Sequence, residues 1–510
     1  MLCLLLSGLL LLFVFTGCSE STPHISTSSP VVDQEKLHLQ VVSFCGNCHA
    51  YPSPESFPRD AWFNEVQRGF KFYDESGRND LQRPRLVDVV DYYRFRAPEQ
   101  LPLNETLFTA DSRLEFRKTA WRSKSAGDSP MVSSLTIRTR PSLPTKSVIV
   151  ADMHTGEINE LIPGSEVCES RLLARLRHPA RTICCDLDSD GREDLLVAEL
   201  GSQLPSDNKV GEVVWIRSID SDVPETPIII AKGLGRVADV AILDSDGDRD
   251  LDIVVSVFGW QRTGEIILLE QNHSEDRSRT PEFTARVIDG RHGTIQTIVE
   301  DMNGDGVSDL LSLISQEHEQ IVLFPGQREG KFSPSQVIFD AKEPAFGSSS
   351  MGLTDLDLDD DLDFIYTNGD TLDSYYIKPY HGVHWLENQG AMPFKQHRLV
   401  AFPGATCVVP GDFDGDGDLD LVAGGFLPKI LKTQLPQNSY PTLLWLQQDQ
   451  GQFIPRQLEA SEVGHMVLLS DDLDQDGDPD LVIGHYIDGA SPETPSVSVW
   501  WNQTPKTNQE

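Results

Sequence analysis

The chain is 510 residues long, enough for two or three ordinary domains or for one large repeat fold with a small appendage. Its 79 acidic residues against 42 basic ones leave a formal charge of −37, which excludes nucleic acid as the main partner and disfavours an anionic lipid surface. Many of the acids recur as Asp at alternate positions beside Gly, a spacing that solvating charge does not need and an oxygen-coordinated divalent cation does.

In chain order, the first 17 residues, MLCLLLSGLLLLFVFTG, are apolar and uncharged, and a polar Ser/Thr/Pro stretch follows Cys18. This pattern predicts an export signal over residues 1–18 and places the protein in the periplasm or at the cell surface. Phe15-Thr16-Gly17-Cys18 resembles a bacterial lipoprotein cleavage box, which implies that Cys18 carries lipid and that the protein meets a membrane through that anchor. Plain secretion and a retained anchor helix stay open. Residues 19–30 read as a flexible tether.

Residues 45–49 are Cys-Gly-Asn-Cys-His, the CxxCH spacing of covalent haem attachment. Two thiols one helical turn apart can each form a thioether to a porphyrin vinyl group, and the adjacent His49 then serves as proximal iron ligand, so Cys45, Cys48 and His49 are the expected holders of one haem c. A zinc half-site or a redox CxxC would leave the histidine unexplained, and no second Cys pair stands nearby. Apolar spacing around the motif (Val41, Val42, Phe44; Phe63, Val66, Phe70; Leu86, Val89, Val90, Tyr93) predicts three short helices within 31–100, which resembles a small cytochrome c domain, with Trp62 and Tyr92 available to wall the haem. No Met or His lies between Ala50 and Pro130, so the iron is expected to be five-coordinate or weakly ligated, the candidates for a sixth ligand being His38, Lys71, Met131, Met153 and His154.

After a linker at 101–112, a nine-residue pattern recurs six times, as DLDSDGRED (Asp186 to Asp194), ILDSDGDRD (Ile242 to Asp250), DMNGDGVSD (Asp301 to Asp309), DLDLDDDLD (Asp355 to Asp363), DFDGDGDLD (Asp412 to Asp420) and DLDQDGDPD (Asp472 to Asp480). The starts are 56, 59, 54, 57 and 60 residues apart, a structural repeat. Oxygens at positions 1, 3, 5 and 9, with a turn glycine at 6, are hard-cation chemistry, and the β-type flanks exclude a helix-flanked EF-hand. The expected calcium ligands are Asp186, Asp188, Asp190 and Asp194; Asp244, Asp246 and Asp250; Asp301, Asn303, Asp305 and Asp309; Asp355, Asp357, Asp359 and Asp363; Asp412, Asp414, Asp416 and Asp420; and Asp472, Asp474, Asp476 and Asp480. Ile242 at the first position and Asp360 at the turn position weaken the second and fourth loops, which leaves the first, fifth and sixth as the strongest. Some of the loops can also be Asx-turns without metal.

These six loops resemble the FG-GAP or VCBS repeats of the integrin-α-like propellers, over residues 113–502, and the pairing with a CxxCH segment resembles exported bacterial proteins of that type. The resemblance implies a mainly β fold of four-stranded blades around a channel, with ligand bound on the face opposite the calcium loops. Each repeat supports four strands, and the last stops after VSVWWNQ, one strand short. Residues 113–121 (RLEFRKTAW) match the missing strand, and 132–175 read as a first blade without a calcium loop, giving seven blades closed by the N-terminal strand. Residues 503–510 read as a disordered tail.

Strand direction then brings the residues beyond each loop to the opposite face: Trp260, His318 within the run 316–319, Asp370, His381, His485 and Tyr486 are the candidate ligand face, with Glu199, Asn368, Trp385 and Phe426 beside them. Cys168, Cys184, Cys185 and Cys407 are read as disulfide candidates or small buried strand residues. The leading expectation is electron transfer combined with binding of a redox partner, protein or glycan. The alternatives are a peroxidase-like haem enzyme, an oxidoreductase passing electrons to the haem, and an adhesion or glycan-binding protein. No nucleophile elbow, zinc helix or phosphate loop assigns a catalytic residue.

Overall fold

The computed structural model describes residues 34–505, apart from short stretches at 104–107, 109–112, 126–128, 141–142, 165, 222–224, 274–279, 373, 436–439 and 488–492. The export signal with Cys18, the tether, most of the linker and most of the tail lie outside the described residues. Among the described residues no helix is long and apolar enough to cross a membrane.

Three helices open the chain: α1 (Gln34–Cys45), α2 (Trp62–Glu75) and α3 (Leu86–Arg96). Helix α1 stops at the CxxCH motif, where Gly46 donates to the Val42 carbonyl at 2.9 Å and a side chain at Gly46 would strike that oxygen. Helix α2 buries Trp62, Val66 and Phe70 on one stripe. Helix α3 ends at Ala97, ahead of a proline that cannot continue it. The buried stripes form a single small core in which the Trp62 and Tyr93 rings stack with centroids 3.9 Å apart.

The rest of the chain is a ring of seven four-stranded antiparallel sheets. The innermost strands are Val132–Arg138, Pro179–Cys185, Val237–Leu243, Thr294–Glu300, Ser348–Thr354, Ala405–Gly411 and Gly464–Asp471, for blades 1 to 7 in that order. Each neighbours the next, and that of blade 7 returns to blade 1. Phe116–Trp121 is the outermost strand of blade 7, paired from Phe116↔Asn502 to Trp121↔Val497, so the strand missing from the last repeat comes from the start of the propeller. This closure completes the fourth strand of the last blade, and the edges that remain are the short outermost strands of the blades.

The second strands, such as Asp309–Ile314 and Asp420–Gly425, are buried along their whole length because each blade is covered on both faces by its neighbours. That is why they read as continuous apolar runs rather than alternating ones. Every innermost strand also carries a register shift near its start, as between Thr294 and Gln296 or Ala405 and Cys407. Such a bulge bends and twists the strand where it enters the channel wall, and its recurrence in blade 1 marks that blade as a member of the repeat despite its missing Asp loop. Cys168, Cys185 and Cys407 are buried free thiols and Cys184 is a half-buried one.

Candidate functional site

Each Asp-rich loop joins the first and second strands of its blade, so the six loops of blades 2 to 7 share one face of the ring. The opening Asp holds the loop in shape by accepting backbone N–H groups from the far side: Asp186 from Asp190 and Gly191, both at 2.9 Å, and Asp412 from Asp416 and Gly417, both at 3.1 Å. Positions 4 and 6 lie at positive φ in every loop. Glycine fills both in the third and fifth loops, whereas the fourth forces Leu358 to +60° and Asp360 to +72°.

The ninth residue ties the loop to the blade. Asp194 accepts from Leu187 N at 3.1 Å and from Ser218 N, beyond the third strand, at 2.7 Å, and Asp309, Asp363 and Asp480 repeat the pattern. In blade 3 that role belongs to Asp252, which accepts from Ser245 N at 3.0 Å and Gln271 N at 2.8 Å. The second loop therefore runs from Asp244 to Asp252, two residues later than the sequence pattern suggested. Ile242 is a strand residue and no ligand position is missing; Asp244, Asp246, Asp248 and Asp252 take positions 1, 3, 5 and 9. Asp250 falls at position 7 and pairs with His273 Nδ1 at 2.8 Å. The weakness of this loop lies in Arg249, held at φ +73° where the others prefer glycine.

The donor set suits a hard cation. In at least four loops three side-chain oxygens lie within 4.8 Å of one another, Asp186, Asp188 and Asp194; Asp244, Asp246 and Asp248; Asp355, Asp357 and Asp359; and Asp412, Asp414 and Asp416; and Asp248, Asp250 and His273 form a further such group in blade 3. Asp420 Oδ2 and Asp474 Oδ1 are buried with no hydrogen-bond partner among the described residues, an arrangement costly for an anion that nothing neutralises. Burial pushes Asp420 and Asp480 up to about 7. The first loop differs: Arg217 places a guanidinium nitrogen 2.6 Å from Asp188 and 3.0 Å from Asp190, so part of its charge is already met.

The opposite face carries the second-to-third-strand loops and the crossings between blades. Trp260, His318, Asp370, His381, His485 and Tyr486 all fall there, in four different blades. Only some reach solvent. Trp260 is exposed, whereas His381 is 1% exposed and His485 is buried between His465 and Ser498, at 3.2 and 2.7 Å. Tyr486 packs edge-on against Phe426. Trp385 lies inside blade 5, stacked on His397, and does not belong to this face.

The sector of this face over blades 4 and 5 is covered by the chain's own helical segment. Ser53 N donates to Glu343 at 3.0 Å, Lys378 Nζ donates to the Ser56 carbonyl and lies 3.3 Å from the centroid of the Phe57 ring, and Tyr376 meets Phe57 edge-on. From blade 3, Arg262 reaches the Glu75 carbonyl at 2.7 Å. The uncovered part of this face is accordingly smaller than the sequence suggested.

At this junction a pocket of about 330 Å³ is lined by Gly46, Asn47, Cys48, His49 and Ala50 on one side and by Glu317, His318, Gln320 and Asp340 on the other. Both motif cysteines are free: Cys48 is exposed, with Arg78 Nη1 3.1 Å from its sulfur, and Cys45 is half-buried against the helical core, where burial pushes its thiol up to about 11. His49 donates from Nδ1 to the Ala50 carbonyl at 2.7 Å, which fixes its tautomer and leaves Nε2 without a partner among the described residues. Free thiols and an oriented imidazole are what covalent haem attachment needs of Cys45, Cys48 and His49. Trp62 is held in the helical core by bonds to the Pro54 and Phe57 carbonyls, and Tyr92 is engaged by His38 at 2.6 Å and Tyr51 at 2.9 Å, so neither lines the pocket.

Sequence reasoning missed Asp252, which the alternating Asp run had hidden, and the docking residues Glu343, Tyr376 and Lys378, for which no local signal exists. No family model matches the chain, and no curated protein does. Among solved structures it is similar to the Bacillus licheniformis rhamnogalacturonan lyase PL11, at 14% identity over 74% of this chain and 77% of that one, with a TM-score of 0.37. The seven-bladed fold rests on this chain's own strand pairing.

Proposed function

We propose that this chain is an exported calcium-binding propeller protein that carries one covalent haem c and serves in electron transfer and partner binding. The observation that supports the reading most is the seating of the CxxCH motif against the propeller face opposite the Asp loops, with free thiols and an unengaged His49 Nε2. The haem supplies reversible one-electron chemistry when bound. Around it the chain's own residues have separate tasks. His49 would hold the iron, Cys45 and Cys48 would carry the covalent attachment, and Arg78, itself held by Asn47 and Asp80, fixes the exposed side of the motif, where a redox partner can approach. Calcium on the far face keeps the blades in register, and a lipid on Cys18 holds the assembly at a membrane. The free sector of the ligand face, around Trp260 and Tyr486, is left for a protein or glycan.

The test is expression of the full chain together with a c-type haem maturation system, followed by an alkaline pyridine spectrum and haem staining after denaturing electrophoresis. One haem per chain, retained on denaturation and lost in Cys45→Ser/Cys48→Ser, is the expected result. A haem-free wild-type chain overturns the reading.

A further inference from the structure

The sequence leaves the second axial position of such an iron open, because no Met or His follows the motif within its own segment. The fold closes that gap from a distance. Blade 4 presents the tight turn Ser315–Glu319, in which Gln316 and Glu319 sit at φ +55° and +48° and place Glu317 and His318 at the tip, on the wall of the pocket that His49 lines from the other side. Non-glycine residues are strained in the left-handed region, and such strain persists where the surroundings require that one tip geometry.

The groups around this tip have their partners, with one exception. Glu317 meets His292 Nε2 at 2.7 Å, Gln320 lies between Arg291 at 2.9 Å and Asp340 at 3.1 Å, and Arg291 is bound to Asp289. His318 is half-buried, tilted against the His292 ring at 5.2 Å, and neither of its ring nitrogens has a hydrogen bond among the described residues. The other candidates are engaged or remote. His38 is bound to Tyr92, exposed Lys71 lies by Glu75, and Met131, Met153 and His154 belong to blade 1 or its approach, whereas the motif faces blades 4 and 5.

We propose that His318 is the second axial ligand of the haem iron held by His49, so that the propeller supplies the distal side of a bis-histidine haem and the metal clamps the helical segment onto blade 4. This rests on the haem reading above. It turns the expected five-coordinate iron into a six-coordinate one, in which two imidazoles favour electron transfer over binding of small oxidants.

The test uses the full-length haem-loaded chain and its His318→Ala, His318→Met and His154→Ala variants, with haem content measured first by the pyridine spectrum. Wild type is expected to be low-spin by optical and electron paramagnetic resonance spectra and inert to carbon monoxide when reduced. His318→Ala is expected to become high-spin, bind carbon monoxide and return to low-spin on adding imidazole, and His318→Met to gain a sulfur-to-iron band in the near infrared. His154→Ala should match wild type. Circular dichroism melting checks that each variant is folded. A haem-loaded wild type that is high-spin, or a folded His318→Ala with an unchanged spectrum, overturns the proposal while leaving the haem reading intact; absence of haem overturns both.

Discussion

Blade 1 and the six blades that follow close the same end of the sheet by opposite means. In blades 2 to 7 the turn after the innermost strand is an Asp loop whose carboxylates converge with little positive charge of their own, Arg217 beside the first loop being the clearest exception. In blade 1 the innermost strand ends at Arg138, 2% exposed, whose guanidinium is bound by Glu160 at 2.8 Å and by Glu193 and Asp220, with Arg171 completing the cluster at 2.7 Å from Glu160. On the calcium reading proposed above, both solutions place a cation among carboxylates at a blade junction. One cation is built into the chain and the other would have to be taken from solution, which would divide the ring's stability between a fixed part and a part linked to free metal.

The largest effect that can break this comparison is metal removal. Each site at a thousandfold excess of calcium over its Kd adds about 4 kcal/mol, so excess EGTA is expected to lower the melting temperature strongly in calorimetry. An unchanged melt would reduce the six loops to plain Asx-turns. Next is Arg138→Met, which takes from buried Glu160 its one fully buried guanidinium partner and should cost about 3–5 kcal/mol in denaturant unfolding. Most of that loss should persist in excess EGTA, because the Arg138–Glu160 pair is made within blade 1 and needs no metal from solution. The smallest effect sharpens the comparison within blade 3. Asp252→Ala removes an acceptor of two backbone bonds, should cost about 1–3 kcal/mol and should lower bound calcium by one per chain in atomic emission. Asp250→Ala should leave the stoichiometry unchanged, since position 7 contributes its backbone.

How far the sequence discloses this molecule depends on whether a feature is local. The Asp loops are punctuated by apolar runs of strand length, and residues 116–121 could be matched to the gap in the last repeat because each blade repeats one strand pattern. The CxxCH motif and the three amphipathic helices are legible for the same reason. The second loop was misread by two residues because Asp occupies every other position from 244 to 252, so the string fits two registers equally well. Only the bonds from Asp252 to Ser245 and Gln271 choose between them. The shared pocket of His49 and His318, and the contact of Phe57 with Lys378, bring together residues far apart in sequence, and neither partner carries a pattern that names the other. Nothing local marks Arg138, whose three acidic neighbours come from blades 1 and 2 and are brought to it by burial.

Pairing Phe116–Trp121 with Val497–Asn502 also governs how the molecule is made. During synthesis the earliest propeller segment has to wait, unpaired, until the final hairpin has emerged, so an arrested or clipped product would keep a raw sheet margin that quality-control proteases can recognise. Completion of the ring thus reports that the polypeptide has been delivered whole.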